Sequence, residues 1–512
     1  MPGLRQSLDV LRAGVLGLAP PISVPLLTGA VAFAVIAWTL LQRSAGLSVS
    51  AYDTAFFEQV VWNLSRGHGF TGGFFGANFL GLHFSPLLAL PAAVELAWPD
   101  ARALALLQAA ALGLSAPAAY LLLRALLGGR PGAPVAAAAL AAVVPLWLAL
   151  QQAASAGFHT EALALPLLLT AAWAGLSGRS ILCWACALAA LCAKEDQAYA
   201  VAVIGLLLAF HGPSRWPGVA LVVVSVAWGA AVEFVVMPAL RGPVRSDVAS
   251  YYAWLPHAGA DRIALAIANR DGWLGFAALI AGMAGLPLLR PTWLALALPP
   301  LAGDLLSAHP SQTILHLQYG LPLVVPVLVA GGLGARSVLD RVARRQQGEA
   351  RLAPTDPVVG PQQGEARLAP TGGVALAALA VPAVVLGIVF SPLAGQGALT
   401  TSSMQRLMAC ATALPGEAPL AADDSVAAAL AARPVERPLT WARPGDWVVV
   451  DRASYVPAYV NVRARASELA SLSSDGRRLY CDDGRFQLWG PEQTVSTSRS
   501  APTLPSPARG EG

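Results

Sequence analysis

Long apolar runs separated by short polar breaks dominate the chain. They cover 22–42, 101–123, 133–151, 161–177, 180–193, 197–211, 217–239, 273–290, 292–308, 314–334 and 373–391, with a shorter run at 84–98. A helix that crosses a bilayer needs about 20 apolar residues, so the short run reads as a re-entrant or interfacial helix and the others as spans. Residues 180–211 read as two short helices broken at Lys194-Glu195-Asp196. That gives about eleven spans. With a cytoplasmic N-terminus (1–21), Arg124, Arg130, Arg179, Arg215, Arg290, Arg336, Arg341, Arg344 and Arg345 all fall inside and the C-terminus falls outside. If 84–98 crossed, every one of those loops would move out. Arg5 and Arg12 ahead of the first run read as the flank of a retained signal-anchor.

The polar stretches have their own patterns. In the first external loop, 43–100, the segment Tyr52–Asn63 places Phe56, Val60 and Asn63 on one helical face and Phe57, Val61 and Leu64 on the next, as expected of a helix lying in the interface plane. Residues 336–372 read as a disordered cytoplasmic loop, in which QQGEARLAPT occurs at 346–355 and again at 362–371. The repeat is a local duplication rather than an architectural period. The transmembrane domain spans 22–394, and from 395 to 491 the pattern changes to that of a small α/β domain. There Asp424 or Ser425 can cap a helix through Val426–Ala432, and Trp447–Val450 reads as a buried strand. Arg478–Cys481 and Arg485–Trp489 read as a hairpin closed by Asp482-Asp483-Gly484. Residues 492–512, rich in Ser, Pro and Thr, read as a disordered tail.

Composition agrees. The chain is 56% hydrophobic and 12% charged, against roughly 25% charge in soluble domains. The net charge of +4 is scattered over loop ends, which excludes the clustered basic face of a nucleic-acid binder. Cys183, Cys186 and Cys192 lie in one apolar stretch; Cys410 and Cys481 lie in the polar C-terminal part and can pair if that part is outside the cell.

The polar residues with chemistry to offer sit at run ends on one predicted side. An ionisable residue at membrane depth is costly, so it is a functional candidate by default. Asp53 follows the first span at a helix start, where backbone amides stabilise a carboxylate, and Glu58 further along can face the same cavity. His83 opens the short run, followed by Phe84-Ser85-Pro86. Arg102 breaks the charge rule and can hold a lipid phosphate, with Asp100 as its alternative partner. His159 and Glu161 precede a span and can orient a sugar or, with Asp53, ligate a divalent cation such as Mg or Mn. No dedicated metal motif accompanies them. Lys194, Glu195 and Asp196 either pair among themselves or meet a donor phosphate. Asp304, His309 and His316 close a later helical hairpin on the same side.

Tyr52-Asp53 through Trp62-Asn63, His83-Phe84-Ser85-Pro86, Phe158-His159-Thr160-Glu161, Lys194-Glu195-Asp196 and Asp446–Asp451 together resemble the bacterial membrane family called domain of unknown function 2079. That family usually has Pro where this chain has Thr160. More distantly the layout is similar to the GT-C glycosyltransferases of the protein O-mannosyltransferase and aminoarabinose transferase type. The resemblance implies an inner-membrane enzyme that takes sugar from a polyprenyl-phosphate donor at the outer face, with Asp53 as acid-base residue. Many GT-C members carry adjacent acids there. Here Asp53 is followed by Thr54, so a second acid would be Glu58 or Glu161. A flippase or transporter of polar lipids, or a non-catalytic assembly protein, is the alternative. Transporters commonly have paired halves, and no similarity between halves is visible in this chain.

Overall fold

The computed structural model describes residues 20–74, 78–243, 247–352, 371–389, 391–393, 402–453 and 461–491. The predicted N-terminal segment up to residue 19, the second copy of the repeat up to residue 370, and the tail from 492 lie outside them. Among the described helices, six are long and apolar enough to cross a membrane: 22–45, 102–127, 133–155, 215–241, 260–282 and 317–347. Thr160–Leu176, Ser180–Leu191 and Gln197–His211 are shorter and equally apolar. Large side chains on the outer faces are bare, among them Trp38 at 67%, Phe234 at 78% and Ile181 at 89% exposure. In water such surface would be unstable; against lipid tails it costs nothing.

Small residues set the helix spacing. A Cβ on Gly29 would meet the Gly113 carbonyl oxygen at 2.5 Å, and one on Gly113 would meet that of Gly29 at 2.6 Å. The helices Pro20–Ala45 and Arg102–Leu127 therefore touch backbone to backbone, as small residues permit in a membrane.

Several predicted elements stand. The charged triplet does break its stretch, separating Ser180–Leu191 from Gln197–His211. The short run forms Pro86–Leu88 and Ala89–Glu95, which at about 1.5 Å per residue fall far short of a bilayer. Other boundaries shift. The run expected at 273–290 is a helix pair over 260–282, stopped at Met283 before Gly285 turns the chain with φ +74°. The run expected at 292–308 breaks into short helical pieces up to Leu305, with prolines at 291, 299 and 300. The helix Val324–Leu352 carries on into the loop expected to be disordered from residue 336, including most of the first repeat copy.

The C-terminal domain is a five-stranded sheet in the order β2-β1-β3-β5-β4, built from β1 Leu420–Ala422, β2 Glu436–Pro438, β3 Trp447–Asp451, β4 Arg477–Asp482 and β5 Phe486–Pro491. β1 runs parallel to β2 and β3; β5 is antiparallel to β3 and β4. The expected buried strand is β3, buried along its whole length, and the expected hairpin is β4-β5, with Gly484 at φ +90°. A disulfide joins Cys410 to Cys481. The helix runs Asp424–Leu430, and its cap position is Asp423 rather than Asp424 or Ser425. Asp423 does not cap, because Arg465 holds both its oxygens at 2.7 and 2.8 Å.

This domain sits directly on the first polar loop. The helix Phe56–Ser65, expected to lie in the interface plane, is instead covered on both faces, with Phe56 through Asn63 buried. Its rings join a shared cluster: Phe56 to Phe79 at 5.0 Å, Phe57 to Phe158 at 5.3 Å, and Tyr52 to Trp441 of the C-terminal domain at 6.5 Å. Edge-on ring pairs of this kind contribute about 0.5–1.5 kcal/mol each beyond burial. Asn63 donates to the Pro434 carbonyl at 3.0 Å.

Three carboxyls meet in that interface. Glu58, Glu95 and Glu436 are 0%, 1% and 0% exposed; Glu58 and Glu95 share a proton between their side chains, and among the described residues none of the three forms a salt bridge. Burial pushes Glu95 up to about 7. Burial raises Glu58 well above the usual carboxylate range, helped by the charges of Glu95, Asp100 and Glu436. Burial raises Glu436 likewise, with only partial relief from Arg433, whose guanidinium is spent on the Leu430 and Ala418 carbonyls. The docked state thus binds more protons than the undocked one. Docking is at full strength below the ordinary carboxylate pKa of about 4.3 and weakens as pH rises through about 7. Hydrogen exchange of the Phe56–Ser65 amides should accelerate between pH 6 and 8.5 beyond the intrinsic rate change, and Glu436→Gln should flatten that response. Protection that is independent of pH in the unaltered chain would contradict it.

Candidate functional site

The site is built at one end of the bundle from four chain segments. The first spanning helix carries Arg43 in its last turn, and a wide helical turn, Ala51–Ala55, presents Asp53. Opposite lies the turn 156–159 ahead of the helix Thr160–Leu176. Gly157 makes this approach possible. It holds φ +99°, and a Cβ there would meet Thr54 Oγ1 at 2.8 Å and Asp53 Cβ at 2.9 Å. Gln108, fully buried in the next spanning helix, donates to the carbonyls of Ala153 (3.1 Å) and Gly157 and accepts from the His159 amide at 2.7 Å. The turn is thereby fixed, and His159 Nε2 faces Asp53 Oδ1 at 3.5 Å.

The two partners divide the charge. Burial drives His159 down to about 4, against the pull of Glu161, so its imidazole is neutral at physiological pH. Burial drives Asp53 up to about 7, and Asp424 of the C-terminal domain adds to this; Ser50 and Arg43 oppose it. The helix start was expected to favour the Asp53 carboxylate. Desolvation and a second acid outweigh that dipole. The contact is accordingly between a neutral ring and a carboxyl poised to take or give a proton, not an ion pair. Arg43 donates to the Ser48 carbonyl at 3.2 Å and to the Ser155 carbonyl.

A second layer holds the charges. Lys194 Nζ reaches Glu161 at 2.5 Å and Asp196 at 3.2 Å. Burial alone would lower Lys194, but Asp196, Glu161 and Glu195 raise it well above its ordinary value, so it stays an ammonium. Glu195 bridges to His83 Nδ1 at 3.1 Å and to the Phe84 amide at 2.9 Å, while the Leu87 amide donates to the Cys192 carbonyl at 2.7 Å. The short helix and the broken stretch are thus stitched together.

Of the residues expected from sequence, Asp53, His83, His159, Glu161, Lys194, Glu195 and Asp196 form this one connected region. Glu58 does not face Asp53: five positions on, it points to Glu95 and Glu436. Arg102, half exposed, is paired with Asp100 at 2.9 Å and lies over the Trp98 ring, so its local partner holds it. The cation set Asp53, His159 and Glu161 does not converge either. The Glu161 carboxylate is taken by Lys194, and among the described residues no three His, Cys, Asp or Glu groups are placed to hold a metal ion. Asp304 accepts from Gln312 at 3.0 Å and lies within electrostatic reach of Lys194 and Asp196. His309 packs between Tyr251 and Tyr319, and His316 lines a separate cavity with Asp271 and Gln152. Asp446 and Asp451, in the stretch carrying the resemblance, are held by Arg437 at 2.8 Å and Arg485 at 2.9 Å as struts of the sheet domain.

Sequence reasoning missed Arg43, Gln108, Gly157 and Asp424. Gln108 left a trace, being a lone amide inside an apolar run. The others left none, since their role depends on which segments meet.

A bundle of apolar helices with a charged region at one end, roofed by a small sheet domain, defines a polytopic membrane protein. The model for predicted membrane proteins of the DUF2079 family matches residues 43–348, and the chain belongs to that family. ArnT from Cupriavidus metallidurans in the apo state is similar in fold, with a TM-score of 0.50 at 12% identity over 89% of this chain and 97% of that one. ArnT from the same organism bound to undecaprenyl phosphate gives 0.45 at 13% identity over 90% and 98%. No curated protein matches in sequence. At these identities the likeness is one of fold.

Gly157→Ala tests the construction. The added methyl collides with Asp53 and forces a left-handed residue, so stability should fall by roughly 1–3 kcal/mol. The His159 ring resonances should shift as well. Unchanged His159 resonances would mean that Gly157 does not set the approach.

Proposed function

We propose that this protein is a membrane glycosyltransferase that moves a sugar from a polyprenyl-phosphate donor to a cell-envelope acceptor at the outer face of the membrane, inverting the anomeric carbon. The observation that carries the reading is the pair of Asp53 and His159 at 3.5 Å, a carboxyl raised to about 7 beside a neutral imidazole. The acceptor hydroxyl attacks C1 of the sugar from the face opposite the phosphate. Its proton passes to the Asp53 carboxylate while the C1–O bond breaks and its electron pair leaves with the lipid phosphate. A base that titrates near working pH suits this step. The departing phosphate gains charge, and His83, at 31% exposure more open than the Glu195 that holds it, would donate to it, with the Lys194 ammonium adding positive potential from behind. His159 and Glu161 orient the sugar. No step is routed through a metal ion, because among the described residues the Glu161 carboxylate is taken by Lys194.

The topology that goes with this reading has eleven spans, a cytoplasmic N-terminus and an external C-terminus. It is supported by the arginines of the predicted inner loops and by the Cys410–Cys481 disulfide, which belongs in an oxidising compartment.

Two experiments test the reading. Purified protein given radiolabelled polyprenyl-phosphate sugars and membrane acceptors should yield labelled product, and Asp53→Asn should lower the rate by about 10²–10⁴-fold. Full transfer by Asp53→Asn would remove the proposed base, and lipid movement in vesicles without product would favour transport. On intact cells, a membrane-impermeant maleimide should label Cys410 and Cys481 only after reduction with a membrane-impermeant phosphine. Labelling confined to opened cells would place the C-terminal domain on the inner side and overturn the proposed face.

A further inference from the structure

Asp424 lies in the first turn of the helix Asp424–Leu430, and that helix packs on the turn Ala51–Ala55 that carries Asp53. The two segments share one core, in which Ala55, Val426, Ala427 and Leu430 are all buried. Trp441, from the same domain, meets the ring of Tyr52, the residue before Asp53. The sheet domain is therefore seated against the backbone that positions the candidate base. We propose that Asp424 is the second carboxylate of the site, a positioning residue that acts through Asp53, so that docking of the C-terminal domain completes the reacting centre. This rests on the reading of Asp53 as the reacting carboxylate.

The physical case is a pair of acids kept apart in charge. Among the described residues, Asp424 is the acid that acts on Asp53, and its effect is second to burial. The remaining neighbours are known from each side. Arg43 at the end of the first spanning helix and the Ser50 hydroxyl favour the ionised form. His159 across the turn is neutral. Tyr319 from the far wall feels Asp53 only weakly. Without Asp424, burial would be opposed by Arg43 and Ser50 alone, and Asp53 would be a weaker base at working pH. With it, the carboxylate is strong enough to accept a proton from a hydroxyl. The arrangement also makes basicity conditional: an undocked sheet domain withdraws the second charge and rehydrates the first.

The test reads Asp53 directly. The full chain in nanodiscs, with ¹³C-carboxyl aspartate, is titrated by NMR, and Asp53→Asn identifies the signal. The midpoint should lie near 7 in the unaltered chain. Removing the neighbouring charge in Asp424→Asn relieves repulsion, so the midpoint should fall by about half a pH unit or more. Asp424→Glu should restore it. If Asp424→Asn does not fold, Asp424→Ser provides the same comparison, because serine keeps a short polar side chain at the helix start. An Asp53 midpoint that is unchanged in the charge-removed variants overturns the proposal. The acid limb of the transfer rate should move down by the same amount. A chain that transfers no sugar yet keeps the midpoint shift would refute the transferase reading and leave the carboxylate pair standing.

Discussion

Charges at the end of an apolar bundle persist only in pairs. An uncompensated ion there costs several kcal/mol, and breaking a buried pair costs roughly 3–5 kcal/mol. Lys194 at 15% exposure is the case that decides the architecture. Its ammonium is kept by Glu161 from one helix and Asp196 from its own turn, and the adjoining Glu195 is kept by His83 from the first loop. Three segments far apart in sequence must meet for this to happen. The break in the 180–211 stretch, the short helix that does not cross, and the turn ahead of Thr160 are all consequences. Lys194 is therefore part of the frame first and a source of positive field second. It contributes to chemistry through the potential it maintains, without leaving its carboxylates.

The interface between the sheet domain and the first loop follows a different rule. It is apolar and aromatic, and among the described residues its acids form no salt bridge. Burial shifts Glu58, Glu95 and Glu436 toward the protonated form, the alternative to pairing for a buried carboxyl. One end of the molecule thus combines a rigid paired network under the turn carrying Asp53 with a proton-sensitive seam above it.

Much of this was legible in the sequence, for identifiable reasons. The spans could be read because a bilayer imposes a length and a polarity. The triplet at Lys194 could be read because three adjacent charges cannot face lipid. The hairpin through Asp483-Gly484 and the buried strand at Trp447 follow from local chemistry alone. What failed was whatever depended on coverage. The helix Phe56–Ser65 has an amphipathic pattern and was expected at the lipid surface. Nothing in its own residues says that a domain some 350 positions later folds over it. The same gap misplaced Glu58, whose neighbours Glu95 and Glu436 come from two other elements, and hid Asp424. Arg102 was over-read. A local carboxylate two residues away is always at hand, while a lipid phosphate must arrive.

The division of charge between Asp53 and His159 also bears on the choice between transfer and transport. A group that guides a polar head group across a bilayer needs only to bind and release it, and a permanently charged residue serves well. A carboxyl raised to about 7 beside an imidazole lowered to about 4 is poorly suited to plain binding, since neither holds a fixed charge near neutral pH. Of the two, the carboxyl titrates near neutral pH and so suits proton movement. The nearby charges that stay fixed, on Lys194, Glu161 and Arg43, are engaged in pairs or with carbonyls and shape the field around the carboxyl. Fixed charges set behind a titrating group are the arrangement a proton-transfer step needs.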